Sequence, residues 1–89
     1  MDIKKIIAVQ SNEAFIDLMY KGDDRAPLKI GWRIEKIAGD PGDMSSLGAQ
    51  GEVVGSIFHE EIGAAYLVTW DHFLEYPVFV MGFKIKKLK

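Results

Sequence analysis

Two short stretches bring imidazole and carboxylate side chains together: His59-Glu60-Glu61, and Asp71-His72 with Glu75. Groups of these types can ligate a metal ion or exchange protons with a substrate. Both stretches fall among turn-forming residues, at either end of a run from Ala65 to Trp70 that reads as a strand. At a rise of ~3.3 Å per residue, turns at opposite ends of one strand lie apart. Two histidines without a cysteine or a fixed ligand spacing therefore predict solvated turns, and no metal ligand, cofactor or catalytic residue is assigned. Ser45, Ser46, Ser56 and Thr69 have no His/Asp context that would activate a nucleophile. Gly48-Ala49-Gln50-Gly51 is rich in glycine, but a phosphate cradle needs a following Lys-Ser/Thr and a helix, and here Gly51 opens a strand. The chain reads as non-enzymatic.

Binding chemistry is the remaining possibility. Trp32, Tyr66, Trp70, Tyr76 and Phe79 could line a groove for an extended peptide or cage a methylated lysine. The same side chains are also what a small domain buries. Trp32, in phase with Ile30 and Ile34, is expected in the core. Trp70 and Tyr76 flank the Asp71-His72 turn and are the better candidates for exposure. The Lys84-Ile85-Lys86-Lys87-Leu88-Lys89 tail could touch nucleic acid or anionic lipid. In a strand, however, Ile85 and Lys87 point opposite to Lys86 and Leu88, so no apolar face forms for a membrane. Lysines on an edge strand also block sheet-to-sheet pairing.

The elements that position these groups belong to one domain, residues 1–89, with residues 1–29 as an N-terminal extension. The chain is 48% hydrophobic and 27% charged, an ordinary globular balance, and it has no cysteine to add disulfides or thiolate–zinc ligation. The apolar run Ile6-Ile7-Ala8-Val9 stops at Gln10, shorter than a signal-peptide core or a membrane span, so a soluble cytoplasmic protein is expected. The net charge of −2 is unevenly laid out. Residues 1–36 are nearly balanced. Residues 37–83 carry Asp40, Asp43, Glu52, Glu60, Glu61, Asp71 and Glu75 with no lysine or arginine, and the tail is all lysine where it is charged.

Ile3 to Val9 reads as a strand. Ser11 or Asn12 can cap a helix over Glu13–Lys21, closed by Gly22 and presenting Phe15, Leu18 and Met19 on one face. The competing reading is a hairpin turning at Ser11-Asn12-Glu13. From Ile30 onward, short strands alternate with glycine. The strands expected are Ile30–Ile34, Gly51–Phe58 with a bulge at Gly55, Ala65–Trp70, Pro77–Met81 on an edge or starting a strand, and Phe83–Leu88. A long loop spans Gly39–Gln50. The expected fold is mainly β, about five antiparallel strands closed into a small barrel that leaves no open edge.

Gly31-Trp32-Arg33-Ile34, then Gly48-Ala49-Gln50-Gly51-Glu52-Val53, then Tyr66-Leu67-Val68-Thr69-Trp70-Asp71 resemble an SH3-like barrel over residues 30–89. KOW, Tudor and chromo modules are variations on that superfold. The resemblance implies a binding module. The aromatic cages of Tudor and chromo modules have no counterpart residue by residue here, and the loops that are basic in nucleic-acid-binding KOW modules are acidic. The expected function is protein–protein interaction with a basic or mixed-charge partner, through Trp70, Asp71, His72, Tyr76, Asp40, Asp43, Glu60 and Glu61. The alternatives are nucleic-acid binding through Lys84, Lys86, Lys87 and Lys89, or service as a small subunit of an enzyme complex.

Overall fold

The computed structural model describes residues 13–43 and 45–88; the strand expected over Ile3–Val9 lies outside them, as does Lys89. Of the two readings of residues 13–21, the helix holds: α1 spans Glu13–Lys21. It stops where Gly22 takes a positive φ of 83° and its N–H donates to the Met19 carbonyl at 2.9 Å. Of the three residues expected to share the inner face, Met19 is fully buried and Phe15 half-buried, whereas Leu18 is exposed. The close approach is narrow because it happens over one glycine of the sheet. A Cβ on Gly55 would lie 3.1 Å from both the Met19 carbonyl oxygen and Leu67 Cδ1.

Five antiparallel strands follow: β1 (Arg33–Lys36), β2 (Gln50–His59), β3 (Gly63–Trp70), β4 (Phe73–Met81) and β5 (Ile85–Lys87). They form one sheet in the order β4-β3-β2-β1-β5, so the chain meanders outward and its last strand returns beside the first. The domain is mainly β, as composition and turn spacing predict. The expected closure is corrected: no ladder joins β4 to β5 and the sheet is open. A 3-10 turn, Gly82–Lys84, separates these strands, and β5, three residues long, pairs with β1 alone among the described strands. The two edges are blunted locally instead. β4 carries Pro77, which has no N–H to offer, and β5 carries Lys86 and Lys87.

Several strand boundaries differ from the sequence pattern. β1 starts at Arg33 rather than Ile30 because Lys29–Trp32 closes a turn, Trp32 N–H to Lys29 O at 3.1 Å. Ile30 is therefore exposed, and Trp32 is half-buried rather than in the core, with the Lys87 ammonium 3.8 Å above its ring. The bulge expected in β2 falls between Val53 and Gly55. A larger irregularity interrupts β4, where Leu74 to Pro77 all oppose Thr69, since Trp70 pairs with Phe73 and Val68 with Val78. Residues 83–84 belong to the 3-10 turn rather than to the last strand.

Ile34, Val53, Tyr66, Val68, Trp70, Val80 and Ile85 form the core, together with Ala26 from the α1–β1 connector. That connector is tied to the sheet by polar contacts. Asp23 receives the Phe58 N–H at 3.1 Å and gives its own N–H to Ser56 Oγ at 2.9 Å. The Leu28 N–H donates to the Tyr66 hydroxyl at 3.1 Å. Burial raises the Tyr66 phenol above its ordinary 10.0 and keeps it neutral.

Candidate functional site

The residues singled out by sequence divide between two ends of the sheet. At the β3–β4 end, Trp70 is 1% exposed and belongs to the core, which removes it from any surface site. A tryptophan ending a strand beside a turn is ambiguous by sequence. Here it packs within the core cluster, with Lys36 Nζ 5.9 Å from its ring centroid. Asp71 forms a two-pronged ion pair with Arg33 across the sheet, and its carboxyl is held below the ordinary range by that guanidinium. His72 is exposed beside Trp70, and Tyr76 is exposed with its ring edge-on to Phe73 at 4.7 Å.

Asp40 and Asp43 lie in the long loop and are turned toward lysines. Asp43 accepts from Lys36 Nζ at 3.1 Å, from Lys84 Nζ at 3.1 Å and from the Asp40 N–H at 3.0 Å. Those three donors, the backbone amide foremost, lower its carboxyl to about 2. Asp40 stands 3.6 Å from the same Lys84 ammonium. Lys36 is 4% exposed and also donates to the Ser45 carbonyl at 3.1 Å, so this loop is folded around a buried cation. Lys84 is thereby committed to the loop, Lys86 sits 4.0 Å from Glu35, and Lys87 lies on Trp32. Among the described residues, Lys84, Lys86 and Lys87 are thus each set against a carboxylate or an aromatic ring.

The β2–β3 end differs. His59 closes β2, Gly63 opens β3, and the intervening turn holds Glu60 and Glu61, both exposed. The Glu61 N–H donates to His59 Nδ1 at 3.2 Å and fixes the imidazole against the turn. Because Ile57 pairs with Ala65 and Phe58 with Ala64, successive side chains point to opposite faces of the hairpin. An apolar cleft of about 190 Å³ lies here, walled by Phe15 of α1 with Ile57, Ile62 and Ala65, and next to it a polar recess lined by Arg25, Glu60 and Glu61; Phe58 and His59 line both. Arg25 lies 5.3 Å over the Phe58 ring, and its guanidinium is gripped by Asp23 at 2.8 Å. Asp23 is held at about 2, chiefly by that Arg25 contact. With Asp23, Glu60 and Glu61 set against Arg25, this end is net negative.

His59 and His72 stand at the two ends of β3, ~23 Å apart along an eight-residue strand. Among the described residues no group of three or more His, Asp or Glu side chains converges as a metal site. None of the helices described is long and apolar enough to cross a membrane. Sequence reasoning found Glu60 and Glu61 but missed the cleft beside them. Its walls come from α1, from two strands and from the turn residue Ile62, segments that no local spacing in the sequence joins. Compared with models of known protein families, with curated proteins and with solved structures, the chain matches none.

Proposed function

We propose that this chain is a non-enzymatic, SH3-like protein-binding module whose ligand site is the end of the β2–β3 hairpin. The meander whose fifth strand returns beside the first supports the SH3-like reading over residues 30–89. The observation that carries the functional reading is the apolar cleft of Phe15, Ile57, Ile62 and Ala65 lying next to Glu60 and Glu61. A cleft of about 190 Å³ takes one apolar side chain, and acidic groups on the adjoining turn favour lysine or arginine beside it. The ligand class is thus an exposed apolar residue flanked by basic ones in a partner protein.

An array of short peptides tests this directly, with one central Leu, Ile, Phe or Trp flanked by Lys/Arg, by Asp/Glu or by Ser. The basic-flanked set should bind, Ile62→Asp should abolish binding, and Glu60→Lys with Glu61→Lys should move the preference to acid-flanked peptides. Binding to nucleic acid that weakens steeply with salt, with no peptide bound, would replace this reading by one using Lys86 and Lys87.

A further inference from the structure

Of the large apolar side chains exposed among the described residues, three arise from backbone joined by hydrogen bonds. Gly48, next to Leu47, donates to the Lys36 carbonyl at 2.8 Å, and Ile37, next to Lys36, donates to the Lys84 carbonyl at 2.8 Å, next to Phe83. Leu47 is 69% exposed, Phe83 67% and Ile37 47%. They come from the long loop, the end of β1 and the 3-10 turn, three segments drawn together where β5 returns to β1. Single exposed apolar residues need no explanation, but a group tied together in this way does.

We propose that this patch is a self-association surface, where a second copy of the chain docks through a two-fold contact. The charges around it argue for a copy of the same chain. Lys84 and Lys86 at the surface and the buried Lys36 beneath are matched by Glu35, Asp40 and Asp43, so the charge around the patch sums to zero and does not repel its own image. A strongly charged partner would find no steering there, in contrast to the hairpin end. The matching is also loose at two places. Asp40 is 79% exposed at 3.6 Å from Lys84, and Lys86 is 59% exposed at 4.0 Å from Glu35. Across a two-fold axis, Asp40 of one copy can meet Lys86 of the other, and each pair then occurs twice.

The area is sufficient. At about 200 Å² for a large side chain, the three residues offer roughly 350 Å² per copy. Two copies supply ~700 Å² of apolar contact, close to half of a standard interface of ~1,600 Å², with the rim as the remainder. The proposal does not depend on the hairpin-end reading. If both hold, each dimer displays two peptide sites, and a partner with two motifs binds by avidity.

Sedimentation equilibrium of the full chain, from low to high micromolar, tests the proposal. Wild type should reach the mass of two chains, and Leu47→Glu and Phe83→Glu should each weaken the dimer at least ~tenfold. Leu18→Glu, on a residue of α1 as exposed as Ile37, should leave it unchanged. Thermal melts identify any variant that fails to fold. Ser46→Cys, on an exposed residue beside Leu47, gives a second measurement that leaves the apolar patch intact. In a chain without other cysteines, a short bismaleimide should link two copies in wild-type proportion to their dimer content. A wild-type chain that stays monomeric throughout overturns the proposal. So does a dimer lost with Leu18→Glu but kept with Leu47→Glu, or a different protein seated on Leu47 and Phe83 of a monomer. Peptide binding measured on the monomeric Leu47→Glu variant reports separately on the hairpin end.

Discussion

The loop over residues 37–49 and the turn at 60–62 are both acidic in sequence and contain no lysine or arginine. Folding gives them opposite characters. In the loop, Asp43 bridges Lys36 of β1 and Lys84 of the 3-10 turn, so carboxylates and cations from distant segments neutralise one another. At the turn, Glu60 and Glu61 stand beside a guanidinium already gripped by Asp23. The negative charge of the loop is structural, and that of the turn faces solvent. Charge along a sequence sets what is available for pairing, but the sheet order decides which pairs form. Bringing β5 beside β1 places the lysine-rich end against the acidic loop.

The sharpest way to break this comparison is Asp43→Ala. Lys36 is 4% exposed, and without Asp43 its ammonium keeps only the Ser45 carbonyl. An unpaired buried cation is strongly destabilising, and Tm should fall by roughly 10 °C in a thermal melt. Glu60→Ala should leave Tm within ~2 °C, because an exposed turn carboxylate contributes little to stability. Equal effects of the two substitutions would show that the loop and turn do not differ in kind. The next effect in size concerns how Phe15 is brought to the cleft. Gly55→Val places a side chain 3.1 Å from Leu67 and from the Met19 carbonyl, pushing α1 off β2. Such overpacking should cost about 1–3 kcal/mol by denaturant titration and weaken peptide binding at the same time. Asp43→Ala should weaken binding only as far as it unfolds the protein.

The parts of this molecule legible in sequence are those set by local chemistry. The α1 boundary follows from Gly22, the β2 bulge from Gly55, and the tight β3–β4 turn from Asp71-His72. What was not legible depended on which distant segments meet. Trp70 and Tyr76 flank the same turn and look alike in sequence. The first is buried in the core cluster with Lys36 over its ring, and the irregular stretch opposite Thr69 exposes the second. Barrel closure was inferred from five short strands, but a 3-10 turn of three residues between the fourth and fifth leaves the sheet open. The acidic residues at 40 and 43 were assigned to a partner because Lys84, which engages both, lies more than 40 positions away, and nothing in the sequence marks Lys36, 7 positions before Asp43, as a buried cation.

Acid titration separates the regions further. Asp43 and Asp23 both sit at about 2 when folded, against 3.8 for an unperturbed aspartate. A depressed carboxyl stabilises the fold above its unfolded pKa, and that contribution is lost as pH falls through the folded value. Tm should therefore hold near neutrality and decline progressively from about pH 4 toward pH 2. Asp43→Asn and Asp23→Asn should each flatten part of that decline while lowering the plateau. An unaltered acid limb in Asp43→Asn would place its carboxylate in solvent, and the contrast between loop and turn would vanish.

The smallest expected effect is kinetic and bears on the turn alone. Carboxylates on an exposed turn steer a basic ligand over about a Debye length, ~10 Å at 0.1 M salt, whereas a carboxylate held against a mostly buried ammonium is offset within that distance. The association rate of a basic-flanked peptide should fall severalfold in Glu60→Gln with Glu61→Gln at low ionic strength. Asp40→Asn should change it far less, because the Lys84 ammonium 3.6 Å away already offsets that carboxylate at any distance from which a ligand approaches. Raising the salt should bring the double variant and wild type to the same rate. If instead Asp40→Asn slows association as much as the turn substitutions do, the ligand is steered by the loop, and the exposed carboxylates at the hairpin end are not what selects it.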